Sequence, residues 1–247
     1  MAAGGKKVLK APNTAVSLRI LRFDPKMDSE PHYDRFEVPT KPRMTVLDAL
    51  FYVLEHQDRM LAFRYSCRSA VCGSCATFIN GRQRLACNTQ ISTLGSTVTI
   101  GPLPHLPVVR DLVVDLHPFF KKIDMVKPYF QEPDQVPGRE FIQLPKDRDA
   151  LDIAVDCIDC AACFSACPIT WTDPAYPGPA AFVKAYRFVA DTRDADKVGR
   201  LRLVGCEDGL WRCHTVFNCA DACPKRIDPP RFIQYLKRKA ALVSVKL

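Results

Sequence analysis

The chain has 247 residues, 47% of them hydrophobic and 25% charged. This is an ordinary globular composition with room for two domains, and it excludes a disordered or collagen-like chain. Its formal net charge of +8 raises a nucleic-acid reading, while no run approaches the roughly 18–20 apolar residues of a membrane-spanning helix. Residues 1–10 are basic but carry no apolar signal core, so the expectation is a protein soluble by itself on the cytoplasmic side, held at any membrane by another subunit.

In chain order, residues 16–23 and 33–38 read as two β-runs separated by Pro25 and Pro31, an opening hairpin. Over residues 45–58, Val46, Leu47, Leu50, Val53 and Leu54 recur at helical spacing, with Thr45 as N-cap and Asp48 three residues on. A cysteine loop follows at 67–75, where Gly73 and Ser74 allow a close backbone approach. Residues 76–79 and 83–87 flank Asn80-Gly81 as a hairpin with a type I′ turn, and 97–100 is a further strand. Residues 102–145 carry many prolines and few periodic runs, which places the connection between domains there. Beyond Asp149 the pattern turns helical: 149–155 leads into Cys157, and Pro179 suits the first position of a helix through about Ala190. Asp228-Pro229-Pro230 then opens a last helix through about Val243.

The chemistry lies in twelve cysteines, eleven of which fall into three sets. Cys67, Cys72, Cys75 and Cys87 have the C-x4-C-x2-C spacing with a fourth cysteine after eleven residues, as for a plant-type [2Fe–2S] cluster. Cys157, Cys160, Cys163 and Cys167, followed by Pro168, form the bacterial run C-x2-C-x2-C-x3-C-P. Cys213, Cys219 and Cys223, followed by Pro224, repeat that run with Val216 in place of one cysteine. In two-cluster ferredoxins the fourth cysteine of each run ligates the other cluster. Cys157, Cys160, Cys163 and Cys223 are thereby assigned to [4Fe–4S]. Cys167, Cys213 and Cys219 are left for a site whose missing ligand predicts [3Fe–4S]. Paired C-x2-C elements also occur in zinc sites, and twelve is an even number for disulfides. Four closely crowded thiols followed by proline, with no secretory signal, argue against both. Each oxidised cluster with its thiolates carries about −2, so three bring +8 to about +2 and the basicity largely compensates the clusters. The remaining excess sits near the C-terminus around Lys237, Arg238 and Lys239, on a solvated helix face or a contact with a membrane surface or partner.

The predicted fold class is therefore α+β. A β-grasp plant-type ferredoxin domain spans 1–120, a linker 121–148, and an all-α two-cluster ferredoxin domain 149–247. No Gly-rich phosphate loop is present, so the chain gives no sign of holding flavin or nucleotide itself. Cys206 matches no ligand position and is expected to be a small buried residue. Arg68, Arg212 and Lys225 stand beside the three sets and are expected to raise cluster potentials.

Several of these motifs together resemble the iron–sulfur subunit of succinate dehydrogenase and fumarate reductase, over roughly residues 16–240. They are C-R-x-x-x-C-G-S-C at 67–75, Asn80-Gly81, L-A-C at 85–87, the run 157–168, Ala185-Tyr186-Arg187-Phe188, and R-C-H…N-C…C-P-K at 212–225. The resemblance implies a chain that carries electrons but has no succinate-oxidising site. It implies docking to a flavoprotein that bears FAD, and passage through [2Fe–2S], [4Fe–4S] and [3Fe–4S] to a menaquinone or ubiquinone beside integral-membrane anchor subunits. The subunit is then peripheral on the cytoplasmic side of the cell membrane and has no nucleic-acid partner. The alternative is the same subunit working in reverse in a fumarate reductase, and the rival from another class is a zinc-bearing nucleic-acid-binding protein. By the same resemblance Pro168, Trp171, His214 and Val216 line the quinone pocket. Many relatives have two adjacent tryptophans, whereas here Thr172 follows Trp171. The plain alternatives are core packing for Trp171 and a satisfied structural role for His214.

Overall fold

The computed structural model describes residues 15–135 and 137–244; the basic segment 1–10 lies outside them. Strand β1 (Ala15–Arg22) alternates Val16, Leu18 and Ile20 into the core, the period-2 pattern of a half-buried strand. It runs antiparallel to β2 (His32–Pro39), with Ala15 opposite Pro39 and Arg22 opposite His32. Helix α1 (Val46–His56) starts from Thr45, whose side chain accepts from the Asp48 N–H while its own N–H donates to the Asp48 carboxylate. This reciprocal cap satisfies two otherwise orphaned donors. The helix buries Val46, Leu47, Ala49, Leu50 and Val53. Strands β3 (Ala76–Ile79) and β4 (Arg82–Leu85) turn through Asn80 and Gly81 at φ 46° and 80°, the left-handed pair that a type I′ turn needs. Strand β5 (Thr97–Gly101) pairs parallel with β1 and antiparallel with β3, giving the sheet order β2-β1-β5-β3-β4.

Two expectations change. Cys87 is not on a strand: β4 ends at Leu85, and Cys87 sits in the 3₁₀ turn Ala86–Asn88. The proline-rich connection holds a small ribbon of β6 (Val108–Arg110) with β7 (Val113–Val114) and then helix α2 (His117–Asp124). Helix α2 uses Phe119 and Ile123 to reach the first core, a two-residue anchor too sparse to show as periodicity. Helix α3 (Pro145–Val155) begins before Asp149, because Pro145 is its first residue. Helices α2 and α3 straddle the expected domain limits.

The rest is helical: α4 (Ala162–Ala166), α5 (Pro168–Thr172), α6 (Pro179–Val189), α7 (Lys197–Val204), α8 (Asn218–Asp221) and α9 (Pro229–Ser244). Helix α6 is buried along most of its length and packs on α7 and α9 through Phe182, Val189, Leu201, Ile233 and Leu236. The first core runs on into the second half through Phe164 and Ala180, and the Phe119 and Phe164 rings meet edge to face at 5.5 Å.

Each half also has a withdrawn arginine–aspartate lock. Asp111 accepts from Arg22 Nε and from the Phe23 and Ala62 N–H groups at 2.9–3.1 Å. In the second half Arg200 is fully buried. It donates to the carbonyls of Val126 (3.0 Å), Lys127 and Tyr129 (2.6 Å) and pairs with Asp194 at 3.0 Å, while Asp194 also accepts from the Gln131 N–H. This clasp fixes the segment after α2 onto α7, a helix the sequence pattern does not announce.

Candidate functional site

The first cysteine set lies on the loop 67–75 and the turn after β4. The loop is kept tight by left-handed backbone at Arg68, Ala70 and Gly73. This geometry aims N–H groups at sulfur. Ser69, Val71 and Cys72 direct theirs to Cys67 Sγ at 3.3–3.4 Å, and Cys87 directs its N–H to Cys75 Sγ at 3.5 Å. Such N–H groups stabilise negative sulfur and are a lever on cluster potential. Within this one set the thiols diverge. The Ser74 hydroxyl and then the Cys67 N–H draw Cys72 down to about 6, whereas burial pushes Cys75 up to about 12. Arg68 is held over the Phe51 and Tyr65 rings at 4.6 and 5.4 Å, so its charge is fixed beside the exposed Cys67.

The other two sets gather around two cavities. Cys157, Cys160, Cys163 and Cys223 line one cavity with Phe119, Ile158, Ala180, Val183 and Ile227. Burial, then the Asp159 carboxylate, pushes Cys157 up to about 12, with Lys184 acting in the opposite sense; burial lifts Cys160 to about 11. Cys167, Cys213 and Cys219 line a second cavity with Tyr176, His214, Val216 and Ile233. There burial, followed by the neighbouring thiol Cys167, brings Cys219 to about 12. The walls are apolar, and burial favours the protonated form of Cys157, Cys160 and Cys219. Thr215 and Phe217 adopt φ near 60°, so Val216 stands between two left-handed residues on the cavity wall. Tyr176 is a member of this site that sequence reasoning missed. Fully buried beside Cys213, it is kept protonated by burial first and by the thiols next; the only signal was its place ahead of Pro177-Gly178-Pro179.

Among the described residues no three His, Cys, Asp or Glu side chains converge on a single ion. The thiols surround spaces instead, four around one and three around the other. Soft sulfur donors in an apolar cage suit iron–sulfur groups.

The sites are neighbours. A Cβ on Gly73 would stand 2.7 Å from Cys160 Cβ and 2.9 Å from the Ile158 carbonyl, and Gly73 itself has φ 76°. Where the sequence leads us to expect the Gly73 backbone to approach a cluster, the structure shows it against the second cysteine loop. The two later cavities are joined through α4, which carries Cys163 and delivers Cys167 at its end.

The remaining candidates divide. His214 and Val216 share the three-thiol cavity, and Pro168 opens α5 directly after Cys167. Trp171 does not line that cavity. Its ring stacks on His105 with centroids 3.3 Å apart, in a groove with Arg82, Arg84 and Asn218. Arg212 pairs with Asp173 at 3.0 Å, and Lys225 lines the four-thiol cavity. Lys237 turns inward, donating to the Cys213 carbonyl at 3.1 Å. Cys206, expected to be buried, is exposed after α7, with Sγ 3.5 Å from the Leu203 carbonyl, because the loop following the helix faces water.

Comparison with known proteins agrees with this geometry. A family described as a 2Fe-2S iron-sulfur cluster binding domain matches residues 17–121, and one described as a 4Fe-4S dicluster domain matches 153–227. The chain is 38% identical over 234 residues to the fumarate reductase iron-sulfur subunit of Mycobacterium tuberculosis, covering 94% of this chain and 95% of that one. It is 41% identical over 234 residues to the mitochondrial succinate dehydrogenase (ubiquinone) iron-sulfur subunit 1 of Oryza sativa subsp. japonica, covering 93% and 83%. With the Haemophilus influenzae fumarate reductase iron-sulfur subunit it shares 34% identity over 243 residues, covering 94% and 95%. A chain in the solved Mycobacterium smegmatis Sdh1 complex, in the apo form, superimposes with a TM-score of 0.86 at 28% identity, covering 93% of this chain and 96% of that one.

Proposed function

Since the chain belongs to the iron–sulfur subunits of the succinate dehydrogenase and fumarate reductase family, we propose that it relays electrons from an FAD-bearing flavoprotein to a membrane quinone in a succinate:quinone oxidoreductase. The clusters supply one-electron carriers, and the chain's own residues supply thiolates, sulfur-directed N–H groups and a cage that excludes water. Cys67, Cys72, Cys75 and Cys87 hold [2Fe–2S], and Cys157, Cys160, Cys163 and Cys223 hold [4Fe–4S]. Cys167, Cys213 and Cys219 hold [3Fe–4S]. The modules divide as 1–120 and 149–247 around a linker.

The observation that carries this reading is the three-thiol cavity with Val216 on its wall. An aliphatic side chain offers no lone pair where the parallel run has a cysteine, so a cubane there lacks a ligand for one iron. His214 and Val216 face the same space, which supports a quinone, menaquinone or ubiquinone, arriving on that side, with Pro168 opening α5 after Cys167 and Trp171 held on His105 in a separate groove. No helix among the described residues is long and apolar enough to cross a membrane. Attachment on the cytoplasmic side then falls to anchor subunits. Fumarate reduction uses the same relay in reverse.

The test is EPR on the purified, air-oxidised complex, which is expected to show a three-iron signal. Val216→Cys is expected to convert that centre to [4Fe–4S] and abolish the signal. A wild-type complex without it removes the assignment.

A further inference from the structure

One charged pair lies at the junction of the first cysteine loop and the four-thiol cavity, and no role described above accounts for it. Asp159 stands between Cys157 and Cys160 in left-handed backbone at φ 51°. Its Oδ1 is 3.4 Å from Cys157 Sγ, and its Oδ2 is 3.0 Å from Lys184 Nζ on α6. The two side chains are 33% and 20% exposed. The same carboxylate lines the space bounded by Cys72, Gly73 and Ser74 on one side and Ile158 and Cys160 on the other, which is where the two loops meet. Lys184 is the one cation among apolar neighbours Ala180, Ala181, Val183 and Ala185 on its stretch of helix.

A loop of this shape needs neither charge, since the turn's φ is available to Asn and the helix packs through its apolar residues. A fixed charge within a few Å of a ligand sulfur, poorly screened by water, acts directly on the electron affinity of the centre that the sulfur holds. We propose that Asp159 and Lys184 together set the reduction potential of the four-iron centre, the carboxylate lowering it and the ammonium raising it. They thereby set the size of the energy step between the first and second carriers. The proposal rests on the reading that Cys157, Cys160, Cys163 and Cys223 hold that centre. The pair takes no electron itself. One electron leaves the two-iron centre, oxidising it, and the same electron reduces the four-iron centre, with no bond or proton exchanged.

EPR-monitored redox titration of the purified complex tests this with Asp159→Asn, Lys184→Gln, the double variant and Lys184→Arg. The four-iron midpoint is expected to rise in Asp159→Asn and fall in Lys184→Gln. It should lie between those two in the double variant and stay near wild type in Lys184→Arg, while the three-iron midpoint is unmoved in all four. Either single variant that keeps its four-iron signal with an unchanged or oppositely shifted midpoint overturns the proposal. If Lys184→Gln loses the centre, Asp159→Asn decides alone. Loss of the centre in both makes the pair merely structural and overturns it too. A wild-type complex with no four-iron signal at all sinks the underlying reading instead.

Discussion

The two halves of the molecule gather the same ligand, cysteine sulfur, in opposite surroundings. In the first, the loop stands beside a five-stranded sheet whose ladder and α1 cap exist independently of the thiols. Its cysteines range from exposed to buried and are met by backbone N–H groups. In the second, α4, α5 and α8 are only four or five residues long, too short to persist by their own hydrogen bonds. The cysteines of this half line apolar cavities, where burial raises Cys157, Cys160 and Cys219. On this difference the sheet domain is expected to hold its cluster, and the helical domain to be held in part by its clusters.

The sharpest way to break that comparison is chelation. Removing the clusters is expected to abolish hydrogen-exchange protection in α4, α5 and α8 while β1 and β5 stay protected; equal loss in both halves would erase the contrast. The buried locks come next. Arg200→Met strips three carbonyls of their donor and leaves Asp194 buried without its charge partner, which is expected to cost about 3–5 kcal/mol. Thermal unfolding of the complex should show this as early melting of the helical half. Smaller is the effect at the junction. Gly73→Ala puts a methyl group within contact of Cys160 in backbone that side chains rarely adopt, for about 1–3 kcal/mol. The two-iron to four-iron transfer, followed by freeze-quench EPR, should slow more than the next transfer.

Much of the candidate site was legible because ligand spacing is local. Eleven cysteines are assigned to three groups from C-x2-C and C-x4-C intervals and the crossed fourth ligand; in the fold Cys157, Cys160, Cys163 and Cys223 line one cavity, and Cys167, Cys213 and Cys219 line another. Elements with strong local signals, such as the Thr45 and Asp48 cap, the Asn80-Gly81 turn and the Pro179 helix start, were equally plain. Tyr176 and Arg200 were not, because a buried tyrosine or arginine looks in sequence like any surface one until its partners are known.

The amino-acid sequence by itself determined which side chains offer a thiol, at what spacing, and that Val216 stands where the parallel run has a cysteine, because these depend on residue type and position along the chain. Only the tertiary structure decided that Gly73 meets Cys160, that Asp159 is shared between Cys157 and Lys184, and that Trp171 turns to His105 rather than to the three-thiol cavity. Apart from the local approach of Asp159 to Cys157, those contacts join segments far apart in sequence. They are chosen by the packing of a shared core across both halves, which no local pattern encodes.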